Sequence, residues 1–422
     1  MNGAVRLFKS SGSVLDTMEL RDFFGARHKP GRLDFVYDPK LTFDTNGPDR
    51  RIYAVSLQHY STGRAEGKAA IWLAISRTPD PKDLSPNGWC RYRIDARSDV
   101  GTDLAGWPDF PGLGIGADTV AVSANQYSFR GDRFTYANVR VFDKLAASAN
   151  GPTCPSFDVI TLQPSGKVKN FNAYTLQPAQ HATDPTPVPG KGDPLYLVNT
   201  SEGRLPSSLY RVWRITGGAG PDPEISHVNL VGPRYSLPSQ APQRGTSIRL
   251  DAGDVEILQV VGRGDELVAT HTVRCAFRAG TPSESCIRVI HVDVKVGRSG
   301  ELKATLADRV TTFGGGDGWF YFDPAVAMNA EGTVGVSLQG SSARTYLSAW
   351  WTTENATGVV KLARGTCPDR AEYDSNFLAT RTGDYTGVQV DPSTGGFWFA
   401  GERAAKDSGR CRWETKIVAT TA

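Results

Sequence analysis

The stretch from Thr382 to Arg403, TGDYTGVQVDPSTGGFWFAGER, constrains the fold more than any other part of the chain. Asp384 and Tyr385 lead into an apolar alternation that ends at Val390, and Phe397 to Ala400 resumes it with aromatic residues. Asp391-Pro392-Ser393-Thr394-Gly395-Gly396 supplies turn residues between them, so the stretch reads as strand, tight loop, antiparallel strand. The same order of features recurs at Tyr37–Gln58, Gly112–Ser123, Glu256–Thr272 and Tyr321–Gln339. A degenerate repeat with strand periodicity predicts an all-β protein, a β-propeller.

The first repeat runs from about Leu33 to Ile94, with strands at Leu33–Phe43, Arg51–Gln58, Ala70–Ser76 and Trp89–Ile94. Later repeats start near Trp107, Ala173, Thr246, Tyr321 and Thr382, which makes six blades; a seventh is the alternative if Lys167–Gln180 hides part of another sheet. A length of 422 residues would ordinarily imply two or three domains, but a closed array of repeats forms one, here residues 1–422. Val5–Val14 matches no repeat. The N-terminal strand is expected to pair with Trp413–Thr420 and complete the last blade, which would remove an exposed sheet edge.

Composition narrows the function classes. The 45 glycines and 26 prolines give a turn-rich chain, and a hydrophobic fraction of 39% still fills a core. A net charge of +3 without a basic run argues against nucleic acid. No apolar stretch approaches the ~20 residues of a membrane span. Gly112, Gly114 and Gly116 precede a strand and not a helix, which excludes a dinucleotide fingerprint. The start MNGAVRLF lacks the basic segment and apolar core of a signal peptide, leaving a cytosolic protein or a mature chain given a new Met. The six cysteines arbitrate. None forms a C-x-x-C pair. Cys275 and Cys286 flank a hairpin loop, Cys367 and Cys411 lie in one repeat, and Cys90 with Cys154 follows by elimination. Three disulfides place the chain outside the cytosol, secreted or periplasmic, and a monomer is expected; six buried thiols are the alternative.

Ser76-Arg77-Thr78-Pro79-Asp80, followed by Asn87-Gly88-Trp89, is similar to the Asp-box turn, S-x-D-x-G-x-T-W. With its long loop-rich repeats, the chain resembles the sialidase-type (Asp-box, BNR-like) six-bladed propellers over most of its length. GDYTGVQVDPSTGGFWFAGE is similar to the closing repeat of secreted bacterial propellers. The resemblance implies architecture. The Arg-Ile-Pro signature of the sialidases is missing, since Arg51-Ile52 is followed by Tyr53, and no arginine triad can be placed, so sialidase activity is not implied.

In a four-stranded antiparallel blade the start of the innermost strand and the end of the second open on the same face. Those positions collect Asp38, Asp109, His181, Tyr321, Asp323, Arg381, Asp384 and Tyr385 from strand starts. From second-strand ends come His59, Gln126, Tyr127, Glu202, His271, Glu402 and Arg403. Such a polar mouth suits a sugar. As an enzyme, a glycoside hydrolase or polysaccharide lyase, the chain would use Asp109, Asp384 or Glu402 as acid or nucleophile and His59 or His271 as base, with Tyr385 among the catalytic candidates. Arg381 and Arg403 would hold an anionic group, with Asp38, Tyr321, His181, Tyr127 and Gln126 lining the substrate site. No cofactor is required, although Asp38, Asp109 and Asp384 are the kind of oxygen ligands calcium takes. The competing readings are a non-catalytic propeller that binds a glycan or a protein, turn-capping aspartates, and structural histidines.

Overall fold

A computed structural model of the chain describes residues 3–26, 33–46, 50–61, 67–97, 106–144, 153–163, 173–201, 203, 205–218, 220–275, 283–314, 318–370, 373–374 and 379–420. The chain opens with a hairpin of β1 (Ala4–Phe8) and β2 (Val14–Glu19), and β1 pairs with β2 in a sheet of two strands. The N-terminal strand therefore does not take the expected place beside 413–420. Local closure wins because Gly12, at φ 87°, turns the chain back within a few residues. A five-residue helix follows, α1 (Leu20–Phe24), ended by Gly25 in the left-handed region at φ 68°. Its Leu20, Phe23 and Phe24 are buried against Ala54, Ala70, Trp72 and Trp89.

Antiparallel meanders then succeed one another in chain order. The first is β3 (Leu33–Phe43), β4 (Ile52–Ser61), β5 (Lys68–Ser76) and β6 (Trp89–Asp95). The second is β7 (Gly106–Ile115), β8 (Thr119–Ser128), β9 (Phe134–Asp143) and β10 (Ile160–Leu162), and the third is β11 (Gln177–Thr183), β12 (Leu195–Thr200), β13 (Ser207–Thr216) and β14 (Glu224–Tyr235). A two-residue strand, β15 (Arg249–Leu250), precedes β16 (Ile257–Arg263), β17 (Glu266–Cys275), β18 (Glu284–Val296) and β19 (Leu302–Phe313). Next come β20 (Trp319–Met328), β21 (Val334–Ser342), β22 (Thr345–Thr353) and β23 (Val360–Ala363). The short β24 (Tyr373–Asp374) and β25 (Ala379–Thr380) join β15 in a sheet of their own, and β26 (Gly387–Val390), β27 (Phe397–Asp407) and β28 (Arg410–Ala419) form the last one. The protein is nearly all β, with α1 as the α-helix among the described residues, and its consecutive meanders are the repeat of the propeller type.

The chain falls into two compact units. Unit 1 comprises Met1–Asn199, Val212–Val228 and Val296–Leu302; unit 2 comprises Thr200–Arg211, Asn229–Lys295 and Lys303–Ala422. In unit 1, Tyr53, Val55, Leu57, Ile71 and Leu73 of the first meander pack on Leu113, Ile115, Val120 and Val122 of the second. The opposite face of the second carries Ala121, Val139 and Val141 onto Leu195, Leu197, Trp213 and Ile215. In unit 2, Val268, Ile287 and Val289 meet Val326, Val336 and Leu338, and Ala325 and Ala327 meet Val388, Phe397 and Phe399. A central strand buried on both faces needs apolar residues at every position, which is why β5 reads AAIWLAI from residue 69 to 75. Each fully buried aliphatic side chain in these layers contributes roughly 1.5 to 3 kcal/mol.

Gly112 and Gly114 serve close packing. A Cβ at either would lie 2.5 Å or less from Pro178 of β11. Three innermost strands share another device. Their ladders skip two residues between Tyr37 and Lys40, Asp109 and Gly112, and Phe322 and Ala325. In each gap the first residue has positive φ, Asp38 at 50°, Phe110 at 53° and Asp323 at 50°, and the second is Pro39, Pro111 or Pro324. Proline has no N–H to give a ladder, so it fits where the ladder is broken.

The turn between β5 and β6 is bonded through Asp83 and not through Asp80, the aspartate of the expected motif. Asp80 sits exposed beside Lys82, whereas Asp83 accepts the Ser85 N–H at 2.8 Å through Oδ1 and the Trp89 indole N–H at 3.0 Å through its carbonyl. All three cysteine pairs are disulfides: Cys90–Cys154, Cys275–Cys286 and Cys367–Cys411.

Candidate active site

Parallel pairing of β15 with β25 sets Arg249 opposite Ala379 and Leu250 opposite Thr380, so the residues that leave the two strands, Asp251 and Arg381, emerge side by side. Asp251 donates its N–H to the Thr380 carbonyl at 2.9 Å. Beyond β25 the segment 383–386 docks on the bulge of β20. Thr386 Oγ1 donates to the Asp323 carbonyl at 2.7 Å, and the buried Gln339 Nε2 donates to the Gly383 carbonyl at 2.6 Å. A Cβ on Gly383 would stand 2.5 Å from Glu402 Oε2, so glycine there lets the backbone reach the β27 carboxylate. Four carboxyl groups, Asp251, Asp323, Asp384 and Glu402, thus share one region of unit 2 with Arg381, whose Nη2 lies 2.9 and 3.1 Å from the two Asp384 oxygens.

One cation cannot balance four carboxylates, and burial favours the protonated form of Asp251, Asp323 and Glu402. Burial, and then the Asp369 and Asp384 charges, raise Glu402 to about 7 against an N–H contact from Gly383 that lowers it. Asp323 is 5% exposed, and burial followed by Asp384, Asp251 and Glu402 pushes its carboxyl well above the usual range. Burial raises Asp251 as well, opposed by the Gly253 N–H and Arg381. Glu402 keeps partial solvent exposure whereas Asp323 is buried, so of the two Glu402 is the carboxyl that can exchange protons with solvent. Tyr385, half-buried, stands next to Asp384 in the same segment.

Unit 1 gathers another set. Tyr37 Oη donates to the Pro108 carbonyl at 2.5 Å, which leaves it as acceptor for an N–H from His59 Nδ1 at 3.0 Å. Burial, then the charges of Asp109 and Asp38, raise the Tyr37 phenol far above its usual value. His59 stacks on Trp107 at 4.5 Å, and Trp107 stacks on Tyr127 at 5.2 Å. The Tyr127 hydroxyl meets that of Tyr174 at 2.5 Å. Gln126 and His181 are buried, His181 beside Tyr196.

Several candidates have other surroundings than their positions implied. His271 is fully buried, with Nδ1 donating to the Val255 carbonyl at 3.0 Å and Nε2 at 3.3 Å from the Tyr210 hydroxyl. Burial, reinforced by Arg288, lowers its pKa to about 3, so it is a neutral core histidine with no path to a ligand. Tyr321 is 4% exposed in a cluster with Trp319 and Trp350. Arg403 points away from Glu402, because neighbours on a strand face opposite sides of the sheet. It binds Glu414 through Nε at 3.0 Å and the Arg364 carbonyl at 2.9 Å. Asp109 belongs to unit 1 and Glu402 to unit 2, and Asp38 and Asp109 likewise lie in a different unit from Asp384. Among the described residues no three Asp, Glu, His or Cys side chains converge as a metal site would require. Glu202 lies outside the described residues. Asp251 and Asp254 escaped the sequence reading, although Gly253-Asp254 before β16 repeats the Gly383-Asp384 pair before β26.

No family model matches the sequence, and no curated protein does. Among solved structures the fold is similar to a Trypanosoma rangeli sialidase complexed with 2,3-difluorosialic acid, with a TM-score of 0.43 and 10% identity. That match covers 99% of this chain and 56% of the sialidase chain, so this chain spans little more than half of the sialidase. It is also similar to the α-L-arabinofuranosidase Arb93A of Fusarium graminearum, with a TM-score of 0.39 and 10% identity over 91% of this chain and 92% of the other. A Dyadobacter fermentans protein of unknown function matches with a TM-score of 0.40 and 12% identity over 93% of this chain and the whole of its own.

Proposed function

We propose that the chain is a carbohydrate-active hydrolase whose acid–base centre is the carboxylate group of unit 2. The observation that carries this reading is Glu402, a partly exposed carboxyl raised to about 7 next to a second carboxylate, Asp384, that is ion-paired with Arg381. Glycoside hydrolysis needs a carboxylic acid that still holds its proton at neutral pH and a partner carboxylate. Glu402 is the proton donor, Asp384 the nucleophile or base, and Arg381 with Tyr385 positions the sugar. Burial, together with the negative charges of Asp369 and Asp384, holds the Glu402 proton. We also propose that residues 1–422 are one six-bladed propeller domain and that the chain is monomeric and exported; the three disulfides favour export.

The test is a panel of neutral and acidic polysaccharides assayed for product release and for retention, with Glu402→Gln and Asp384→Asn alongside. Turnover should fall 10²- to 10⁴-fold in Glu402→Gln. The wild-type rate should decline as pH rises through about 7, where the acid loses its proton. Retention without product at any pH would reject the enzyme in favour of a binding propeller.

A further inference from the structure

A cavity of about 410 Å³ opens in unit 1, on the face of the first meander that carries α1. The strand register builds it. Tyr60 pairs with Lys68, Gln58 with Ala70, Ala70 with Asp95, and Trp72 with Arg93, so side chains at alternate positions of β4, β5 and β6 share this face. The small Ala70 forms the floor between the taller Lys68 and Trp72. The indole N–H of Trp72 donates to Gln58 Oε1 at 2.8 Å, which fixes that wall. Arg97 is anchored through Nε to the Gly67 carbonyl at 2.9 Å, and Arg93 makes one long contact, 3.4 Å, to the Ala69 carbonyl. Among the described residues neither has a carboxylate hydrogen-bond partner, and Lys68 makes no ion pair. Asp95, the acid on this wall, accepts the Arg97 backbone N–H at 3.0 Å.

Among the described residues that line it, three cations face one carboxylate, which gives this lining a net positive charge. Its volume lies in the range of small-molecule sites, about 300 to 1,000 Å³, far more than one inorganic anion fills. Hydroxyl groups would find an acceptor in Asp95, while a carboxylate or sulfate ester would find charge-assisted donors in Lys68, Arg93 and Arg97. We infer that this cavity binds an acidic saccharide unit, separately from the carboxylate cluster of unit 2.

Isothermal titration of the full chain with a uronate oligosaccharide, a sulfated oligosaccharide, the matched neutral oligosaccharide and inorganic sulfate tests this. The acidic sugars should bind at least tenfold more tightly than the neutral one. Lys68 and Arg93 are exposed, so Lys68→Gln and Arg93→Gln should fold; each should weaken acidic binding about tenfold and leave neutral binding unchanged. Raising the ionic strength should weaken wild-type binding more than that of the double variant. Because Glu402→Gln lies outside this cavity, it should bind the acidic sugar here as wild type does even if turnover is lost. Equal affinity for acidic and neutral sugars, sulfate binding as tight as the sugars, or unchanged affinity in the double variant would each overturn the inference.

Discussion

His291 gives the most exacting test of the packing in unit 2. Both ring nitrogens face carboxylates, Nδ1 at 2.6 Å from Glu266 and Nε2 at 2.9 Å from Glu354. The Glu354 side chain is 1% exposed and also accepts from Thr311 Oγ1 at 2.6 Å and from Arg309 at 2.5 Å. Two acceptors demand two N–H donors, so the ring is an imidazolium. Burial lowers its pKa, but the bonds to Glu354 and Glu266 outweigh that and the net shift is upward. For Glu354, burial raises the pKa while His291, Thr311 and Arg309 bring it below its usual value. His291→Gln keeps the bulk and one donor and loses the charge. A charged hydrogen bond inside a protein is worth about 1.5 to 3 kcal/mol, and the Glu266 bond counts for less because that carboxylate is 39% exposed. The expected loss is therefore about 2 to 3 kcal/mol at pH 5.5. The sign follows from linkage. A raised histidine contributes fully below its unfolded value of about 6.5 and loses the contribution as pH rises through the folded value; a lowered glutamate contributes above about 4.5 and loses it as pH falls. The penalty should be largest between those limits and shrink by pH 9. Urea denaturation of both proteins at pH 5.5, 7 and 9 measures it. A penalty that is constant or grows toward pH 9 would refute the imidazolium.

Asp323→Asn should leave stability unchanged near pH 4 and raise it at pH 8. A carboxyl with a raised folded pKa loses stability as pH climbs through that value, whereas asparagine does not titrate yet tolerates positive φ; thermal melts across this range decide. Replacing Cys367 and Cys411 by Ser should cost about 4 kcal/mol, from a closed loop of 44 residues, and the pair at 275 and 286 less, from a loop of 11. Denaturation curves that rank the two the other way would show that chain entropy is not the dominant effect.

The strand repeats were legible because a two-residue alternation broken by Gly, Pro and Asp survives even when every residue identity drifts. The cysteine pairs were legible where both partners fell in one repeat. That Asp384, Glu402 and Arg381 come together could be reasoned from antiparallel geometry. Which face each residue takes could not. Glu402 and Arg403 are neighbours in sequence, and the register of β27 against β28 assigns one to the carboxylate group and the other to Glu414. His271 reads as a strand-end histidine, but β17 is a central strand, so its side chain is enclosed by Tyr210 and Tyr235. Asp251 depends on the parallel contact of two-residue strands about 130 positions apart, which leaves no periodic trace.

The bulges at Asp38, Phe110 and Asp323 separate what holds a side chain from what the side chain is. The same left-handed residue and following proline carry a carboxyl in two repeats and a phenyl ring in a third, with Lys40 Nζ 5.9 Å from that ring's centroid. The backbone has already taken the strained conformation, so exchanging the occupant is conformationally cheap for Asp or Asn and costs more for a β-branched residue. Such a position is an interchangeable socket on a fixed frame. One repeat can present an acid and another an aromatic ring there while the sheets on either side keep their register.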